Sequence, residues 1–195
     1  MKGLQLEKGG FRGLAIAESL RTGSARATLA GIVMRRDLVI DGFVFGYATP
    51  SGDDATEAIL DMHRRLHRAD ISYLLLLGTI ISRYNIIDIA EIHRCTKVPV
   101  ISVTYRDSGG IQSAMDGRFE PAKIKRYQML GSRQRIKLGK YDIFVRCEGC
   151  TSGEAQRLLC SMTLQGSIPE PLRVARLLAR AGIPGCEKYR EDASG

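Results

Sequence analysis

The sequence predicts an α/β protein in which helices sandwich a mixed β-sheet, and two observations lead to this class. Residues 71–77 and 98–103 are apolar runs of strand length, and the stretch between them, 85–95, has the pattern of a helix. Near-continuous apolar strands joined by a helix are typical of a parallel βαβ unit that is covered on both faces. Ahead of this unit, three strand-like segments with short connections predict an antiparallel meander, so the sheet should be mixed.

The three meander strands are predicted over 11–19, 27–34 and 38–46, and the first of them delivers the carboxylate of Glu18 near its end. A surface helix is predicted over 54–69, because Ala55, Ile59 and Met62 recur at helical spacing. The elements after the central unit are predicted to be helices over 109–115, 121–130, 152–164 and 169–181, and one strand over 141–147.

Composition predicts one soluble domain over residues 1–186, followed by a polar tail over 187–195. The chain has 195 residues, of which 44% are hydrophobic and 26% charged, which is enough for one sizeable core. No run approaches the roughly 20 apolar residues that span a bilayer, and no signal peptide follows Met1, so we expect a cytoplasmic protein without membrane contact. The net charge of +8 favours a polyanionic partner.

Three runs of sequence carry a family resemblance. They are GDDAT at 52–56, YNIIDI at 84–89 followed by VPVI at 98–101, and IPEPLRVA at 168–175. Together they resemble an uncharacterised, largely archaeal protein family related to endonuclease V, over most of the chain. The resemblance implies an endonuclease V-like variant of the ribonuclease H fold, which agrees with the predicted order of strands and helices.

The resemblance also implies a Mg²⁺ site made of carboxylates, because endonuclease V cuts nucleic acid with Mg²⁺ held by acidic residues. Its first-strand position falls near Glu18, its helix-start position falls near Asp54, and Asp107 could supply a further carboxylate. The position that ends the fourth strand falls on Leu77, which cannot bind a metal. Two catalytic positions of endonuclease V, a histidine and a lysine, fall on Arg176 and near Tyr105–Arg106.

The same acidic residues also have structural interpretations. Glu18 could be a solvated strand end, and Asp54 could simply cap the helix that follows it, with Glu57 in the first turn. For Asp54 the two interpretations carry equal weight, whereas for Glu18 the structural one is favoured.

A cluster of basic residues is the second candidate for function. Tyr127 and Tyr141 lie among its cations, and such a surface can contact phosphates and stack bases of DNA or RNA. Its members, joined by two arginines of the last helix, are Lys123, Lys125, Arg126, Arg133, Arg135, Lys137, Arg173 and Arg176. The alternative is a solvated face of the protein.

Zinc is not an expected cofactor. Cys147 and Cys150 have the spacing of half a zinc site, but no second pair of ligands follows, and the odd number of cysteines fits reduced thiols. The leading function is therefore nucleic-acid binding by an endonuclease V-like protein with lost or altered metal-dependent catalysis. The alternatives are a divergent Mg²⁺-dependent nuclease or phosphoesterase and a non-catalytic interaction or scaffold protein.

Overall fold

The computed structural model describes Leu4 and residues 11–105 and 120–182. In this part of the chain, a seven-stranded mixed sheet has the strand order β3-β2-β1-β4-β7-β9-β8, and a two-stranded hairpin of β5 and β6 lies apart from it. The strands are β1 Arg12–Ser19, β2 Ala27–Arg35, β3 Ile40–Ala48, β4 Ile71–Leu77, β5 Ile80–Ile81, β6 Asn85–Ile86, β7 Val100–Thr104, β8 Gln134–Leu138 and β9 Tyr141–Glu148. The helices are α1 Ala55–Arg65, α2 Ile89–Thr96, α3 Pro121–Met129, α4 Ser152–Ser161 and α5 Glu170–Ala181.

The register of the sheet confirms the predicted combination of a meander with parallel strands. β1, β2 and β3 pair antiparallel, whereas β1 pairs parallel with β4 and β4 pairs parallel with β7. β9 then returns antiparallel to β7. The three parallel strands β1, β4 and β7 therefore end at the same edge of the sheet.

Two apolar clusters confirm that helices sandwich the sheet. On one face, Ile59 of α1 and Ile92 of α2 pack with Leu74 of β4. On the other face, Leu158 of α4 and Leu172 of α5 pack with residues such as Ile101 of β7. Within the described residues, no helix combines the length and the apolar character that a membrane span requires.

One prediction of local structure was wrong, and one strand was not predicted. The helix predicted over 85–95 begins only at Ile89, because Asn85 and Ile86 form β6. The Asn85 side chain is fully buried and donates to the Thr49 carbonyl at 2.9 Å, so tertiary contacts override the helical pattern there. β8 was not predicted, although it pairs with β9 through the tight turn at Gly139. The predicted helix over 109–115 and the tail over 187–195 lie outside the described residues.

Candidate nucleic-acid interface

A cavity of about 350 Å³ opens where β1, β4 and β7 end. Functional groups of α/β sheets commonly lie beyond the carboxyl ends of parallel strands. We call it the strand-end cavity; its lining residues are Glu18, Gly78, Thr79, Ile80, Ile81, Ser82, Arg83, Tyr84, Thr104, Tyr127, Arg133 and Arg146. The lining combines one carboxylate, two aromatic rings and three guanidinium groups, so its chemistry suits an anionic or aromatic ligand.

Glu18 lies at the wall of this cavity and accepts a hydrogen bond. Its Oε2 receives the Ser82 backbone N–H at 2.9 Å. Burial raises the pKa of Glu18 above its ordinary value, and the hydrogen bonds from Ser82 oppose this only in part. Burial therefore disfavours the ionised form of Glu18 relative to a solvated carboxylate.

Replacing Glu18 by glutamine should raise thermal stability at neutral pH by about 1–3 °C. Because the pKa of Glu18 is raised in the folded state, folding favours its protonated form. This contribution to stability is complete below the unfolded-state pKa and is lost as pH rises through the folded-state pKa. The difference between Glu18→Gln and wild type should therefore vanish near about pH 4. Melting curves of both proteins at pH 4 and pH 7 measure this difference, with Glu57→Gln at an exposed position as the control. A Glu18→Gln protein that is less stable than wild type at pH 7 would refute the raised pKa of Glu18.

Arg146 is a buried cation of the strand-end cavity that the sequence analysis missed. It is only 9% exposed, and it donates to the Gly131 carbonyl at 3.1 Å and to Thr79 Oγ1 at 3.0 Å. Its guanidinium carbon lies 6.0 Å from the centroid of the Tyr127 ring. Burial lowers the pKa of Arg146, and the nearby charge of Arg133 adds to this lowering. An arginine nevertheless stays protonated in proteins, so the cavity holds a desolvated positive charge.

No carboxylate of the described residues forms an ion pair with Arg146. Buried charges are normally paired, because leaving water is costly for an ion. A buried guanidinium held only by neutral oxygens is therefore ready to receive an anion such as a phosphate. A signal for Arg146 did exist in the sequence, since it directly follows the apolar run at 143–145 in a strand of a sheet that was predicted to be covered on both faces.

The hairpin that forms one wall of the cavity has an unusual backbone. Ser82, Arg83 and Tyr84 have φ angles of 45°, 56° and 78°, so three consecutive residues other than glycine are in the left-handed region. Such conformations cost about 1 kcal/mol or more each and persist when surrounding contacts impose them. Ser51 supplies two such contacts, since its N–H donates to the Ser82 carbonyl at 2.7 Å and its hydroxyl donates to the Arg83 carbonyl at 2.9 Å.

Asp54 holds the neighbouring loop together. Its carboxylate accepts the Thr49 hydroxyl at 2.7 Å, the Thr49 N–H at 3.0 Å and the Asn85 side-chain amide at 2.6 Å. The prediction that its side chain caps α1 was wrong, because it makes no hydrogen bond to that helix. Asn85 takes this role, since its Oδ1 accepts the Ala55 N–H at 3.2 Å. Burial raises the pKa of Asp54, but the hydrogen bonds from Thr49 and Asn85 outweigh it and leave the pKa lowered.

Replacing Asp54 by asparagine should cost about 1–2 kcal/mol of unfolding free energy at neutral pH, because a neutral amide accepts these hydrogen bonds less well. Since the pKa of Asp54 is lowered in the folded state, its stabilisation is present above the unfolded-state value and is lost as pH falls through the folded-state value. Urea denaturation at neutral and acidic pH measures both effects. Asp53→Asn, which removes a solvated ion pair with Arg126 at 3.0 Å and a longer contact with Lys123 at 3.7 Å, is the matched control. Equal losses in the two variants would count against the role of Asp54.

The predicted basic residues lie in four places, namely the strand-end cavity, α3, β8 and α5. Arg133 lines the strand-end cavity, with its guanidinium 5.3 Å from the centroid of the Phe144 ring. Lys123 donates to the Ser51 carbonyl at 2.7 Å and so ties α3 to the loop before α1. Lys125 and Arg126 are exposed on α3, and Arg135 and Lys137 are exposed on β8 beside Asp142.

Arg173 and Arg176 are on α5, which covers the opposite face of the sheet. Arg173 forms an ion pair with Glu170 at 2.7 Å, and the charge of Arg176 acts on the Tyr105 hydroxyl. The structure therefore brings Arg133 together with Arg146 and Tyr127, while the two α5 arginines do not line the strand-end cavity.

The described residues do not fit the magnesium site that the family resemblance implies. Hard divalent cations need several oxygen ligands, yet no group of three His, Cys, Asp or Glu side chains in the described part of the chain is arranged to hold a metal ion. Asp54 is occupied by protein donors and does not line the strand-end cavity. Leu77 packs on the apolar cluster of the α4 and α5 face. Asp107 lies outside the described residues.

A second cavity, of about 320 Å³, lies between α2 and α3. Four of its lining residues are acidic, and these are Asp53, Asp88, Glu91 and Glu148. Asp88 uses its side chain to accept the Glu91 N–H at the start of α2. This cavity is therefore a poorer candidate for a polyanion than the strand-end cavity.

Comparison with known proteins decides the family. The family model described as "Endonuclease dU" matches residues 9–183. The chain belongs to the endonuclease dU family. One relative, the UPF0215 protein of Pyrobaculum calidifontis, is 34% identical to this chain over 171 residues, which is 85% of this chain and 93% of the relative.

Solved structures show which folds this endonuclease dU family member is similar to. A protein of unknown function from Archaeoglobus fulgidus is 30% identical, with a TM-score of 0.78 over 90% of this chain and 99% of that chain. Endonuclease V of Ciona intestinalis, in complex with a DNA that contains an inosine, has a TM-score of 0.58 at 15% identity over 88% and 84% of the two chains. The predicted archaeal family related to endonuclease V and the ribonuclease H-like fold are both confirmed.

Proposed function

We propose that this endonuclease dU family member binds nucleic acid in the strand-end cavity, with metal-dependent catalysis that is lost or altered relative to endonuclease V. The observation that carries the proposal is the buried guanidinium of Arg146, whose hydrogen-bond acceptors among the described residues are the neutral Gly131 carbonyl and Thr79 hydroxyl, and which lines the same cavity as Arg133. A phosphate would supply the missing negative charge. The endonuclease V complex with DNA supports nucleic acid as the class of ligand.

The aromatic residues of the cavity suit the bases of a nucleic acid. Tyr127 contacts the guanidinium of Arg146, and Tyr84 is 37% exposed at the tip of the strained hairpin. Base stacking on an aromatic ring typically contributes about 1–3 kcal/mol per base and tolerates different sequences. The cavity therefore combines a group for phosphates with surfaces for bases, and the proposal includes the cytoplasmic location expected from the sequence.

The donors that are present support altered catalysis. Asp54 is engaged by Thr49 and Asn85, Glu18 accepts the Ser82 N–H, and Leu77 stands where the family resemblance implies a carboxylate at the end of the fourth strand. In the leading proposal, the residues of the strand-end cavity bind and orient the strand.

A second candidate function is supported by the name of the matching family. The name "Endonuclease dU" describes an endonuclease, and we infer from it that deoxyuridine is the nucleoside to test. In this candidate the protein is a divergent Mg²⁺-dependent nuclease, with Glu18, Asp54 and Asp107 as its carboxylates. The remaining alternative is a non-catalytic interaction or scaffold protein.

One set of titrations separates these candidates. Labelled oligonucleotides with one deoxyuridine, and otherwise identical ones with thymidine, are mixed with the protein in Mg²⁺ or in EDTA. For nucleic-acid binding without catalysis, we expect binding in EDTA whose affinity falls about 10- to 50-fold between 50 and 200 mM salt. A fall of this size corresponds to about three phosphates neutralised by the protein. Strand cleavage that requires Mg²⁺ and is lost in Asp54→Asn would favour the nuclease. Absence of binding at low salt would overturn both and favour an interaction protein.

A further inference from the structure

Cys147 and Cys150 lie on either side of a bend that ends β9. Glu148 and Gly149 separate them, and Gly149 has a φ of 75°, which only glycine adopts without strain. The chain bends at residues 149 and 150, and cysteines three residues apart across such a bend can approach to the Cα separation that a disulfide needs. The backbone therefore places the two cysteines as a potential pair.

The two sulfur atoms share one environment. Cys147 and Cys150 both pack on the apolar cluster of the α4 and α5 face, and both line a cavity of about 260 Å³ that also reaches Ser132 and Gln134. Cys147 is partly exposed, whereas Cys150 is 9% exposed. Cys147 is therefore accessible to a small molecule from solvent, whereas Cys150 is nearly inaccessible.

The two thiols also influence the ionisation of each other. The interaction with Cys150 lowers the pKa of Cys147, against the effect of burial, and the interaction with Cys147 together with burial raises the pKa of Cys150. Cys147 is therefore the better nucleophile of the pair, because the thiolate is the reactive form of cysteine.

Neighbouring contacts fix the bend from both sides. The His93 ring lies against Gly149 so closely that an added Cβ would be 2.3 Å from its Cε1, and His93 Nδ1 is 2.7 Å from the Val98 carbonyl. After Cys150, Thr151 and Glu154 form a reciprocal capping box at the start of α4. The cysteine pair is held by β9 on one side and by α4 on the other, so its geometry does not depend on a mobile loop.

We propose that Cys147 and Cys150 form a reversible intramolecular disulfide. The oxidant is a small-molecule disulfide such as oxidised glutathione. Cys147 thiolate attacks one of its sulfur atoms, forms a mixed disulfide and releases one thiolate. Cys150 then loses its proton and attacks Cys147 Sγ, which closes the internal disulfide and releases the second thiol. Two protein thiols are oxidised and one small-molecule disulfide is reduced to two thiols, so the exchange is balanced.

Mass spectrometry of the full chain tests this site. The protein is equilibrated with mixtures of reduced and oxidised glutathione, trapped with an alkylating reagent and digested. We expect the peptide with both cysteines to lose two hydrogens without gaining glutathione, at an oxidant concentration at least about tenfold below that needed to modify half of exposed Cys95 or Cys160. Excess reductant should reverse the change.

Two variants distinguish the steps. Cys150→Ser should leave Cys147 as a persistent mixed disulfide with glutathione, whereas Cys147→Ser should leave Cys150 reduced. In the wild-type protein, three results would overturn the proposal: a stable glutathione adduct on Cys147, a disulfide to another cysteine, or two thiols that stay alkylatable when Cys95 and Cys160 are oxidised. These wild-type results decide the question even if a variant folds poorly.

Discussion

Replacing Arg146 by methionine is expected to weaken nucleic-acid binding about 10- to 100-fold while leaving the fold intact. A charge-assisted hydrogen bond contributes about 1.5–3 kcal/mol, and each 1.4 kcal/mol is a tenfold change in affinity. The fold should tolerate the change, because Arg146 is a buried cation without a carboxylate partner among the described residues, and an apolar chain of similar length avoids its desolvation cost. Fluorescence anisotropy with a labelled oligonucleotide measures the affinity, and circular dichroism checks the fold.

Arg94→Met is the matched control for this prediction. Arg94 is an exposed arginine of α2 that pairs with Glu91 at 2.6 Å and does not line the strand-end cavity. Its replacement removes the same formal charge but should change the affinity less than about threefold, since distant surface charges are screened by salt. Equal weakening in both variants would mean that only overall charge matters. Unchanged binding by Arg146→Met would contradict nucleic-acid binding in the strand-end cavity.

Replacing Gly13 by alanine is expected to destabilise the protein by about 3 kcal/mol. Gly13 of β1 pairs with Tyr73 of β4, and an added Cβ would lie 2.0 Å from the Tyr73 Cζ atom. Tyr73 cannot move easily, because it is 1% exposed, its ring stacks on Phe11 at 5.1 Å and its hydroxyl lies 2.9 Å from Met162 Sδ. Overpacking of a close-packed core typically costs about 1–3 kcal/mol, and loss of the hydroxyl contact adds to it.

Urea denaturation measures this loss, and Gly153→Ala is its control. Gly153 is within α4, and an added Cβ would meet no atom within 4 Å. Alanine favours a helix over glycine by about 1 kcal/mol, so this variant should be as stable as wild type or slightly more stable. A Gly13→Ala protein within about 0.5 kcal/mol of wild type would contradict the packing described for Tyr73.

The sequence predicted those parts of the fold in which local pattern and tertiary contacts agree. β4 was predicted at its observed bounds, because seven residues of mainly apolar character are followed by Gly78. The helix pattern over 85–95 failed at its start, because the buried amide of Asn85 bonds to Thr49, Asp54 and Ala55, which are far away in sequence. Contacts of this kind leave no periodic signal.

The candidate site was predictable only in part, for the same reason. Glu18 was expected at a strand end and does line the strand-end cavity, and Asp54 was expected at a helix start and is found there. The orientation of each carboxylate depends on hydrogen bonds to Ser82 and Thr49, which the spacing of residues does not encode. Arg146 was overlooked because its strand was assigned from its apolar neighbours alone.

Photocrosslinking tests most directly whether nucleic acid lies in the strand-end cavity. A bound oligonucleotide is irradiated in EDTA, and crosslinked peptides are identified by mass spectrometry. The exposed aromatic residues Phe43, Tyr47 and Tyr141 lie outside the cavity and serve as internal references. If nucleic acid binds in the strand-end cavity, the peptides that contain Tyr84 and Tyr127 are crosslinked in the wild-type protein, and these crosslinks are lost in Arg146→Met. Crosslinks confined to Phe43, Tyr47 or Tyr141, and unaffected by that substitution, would contradict it.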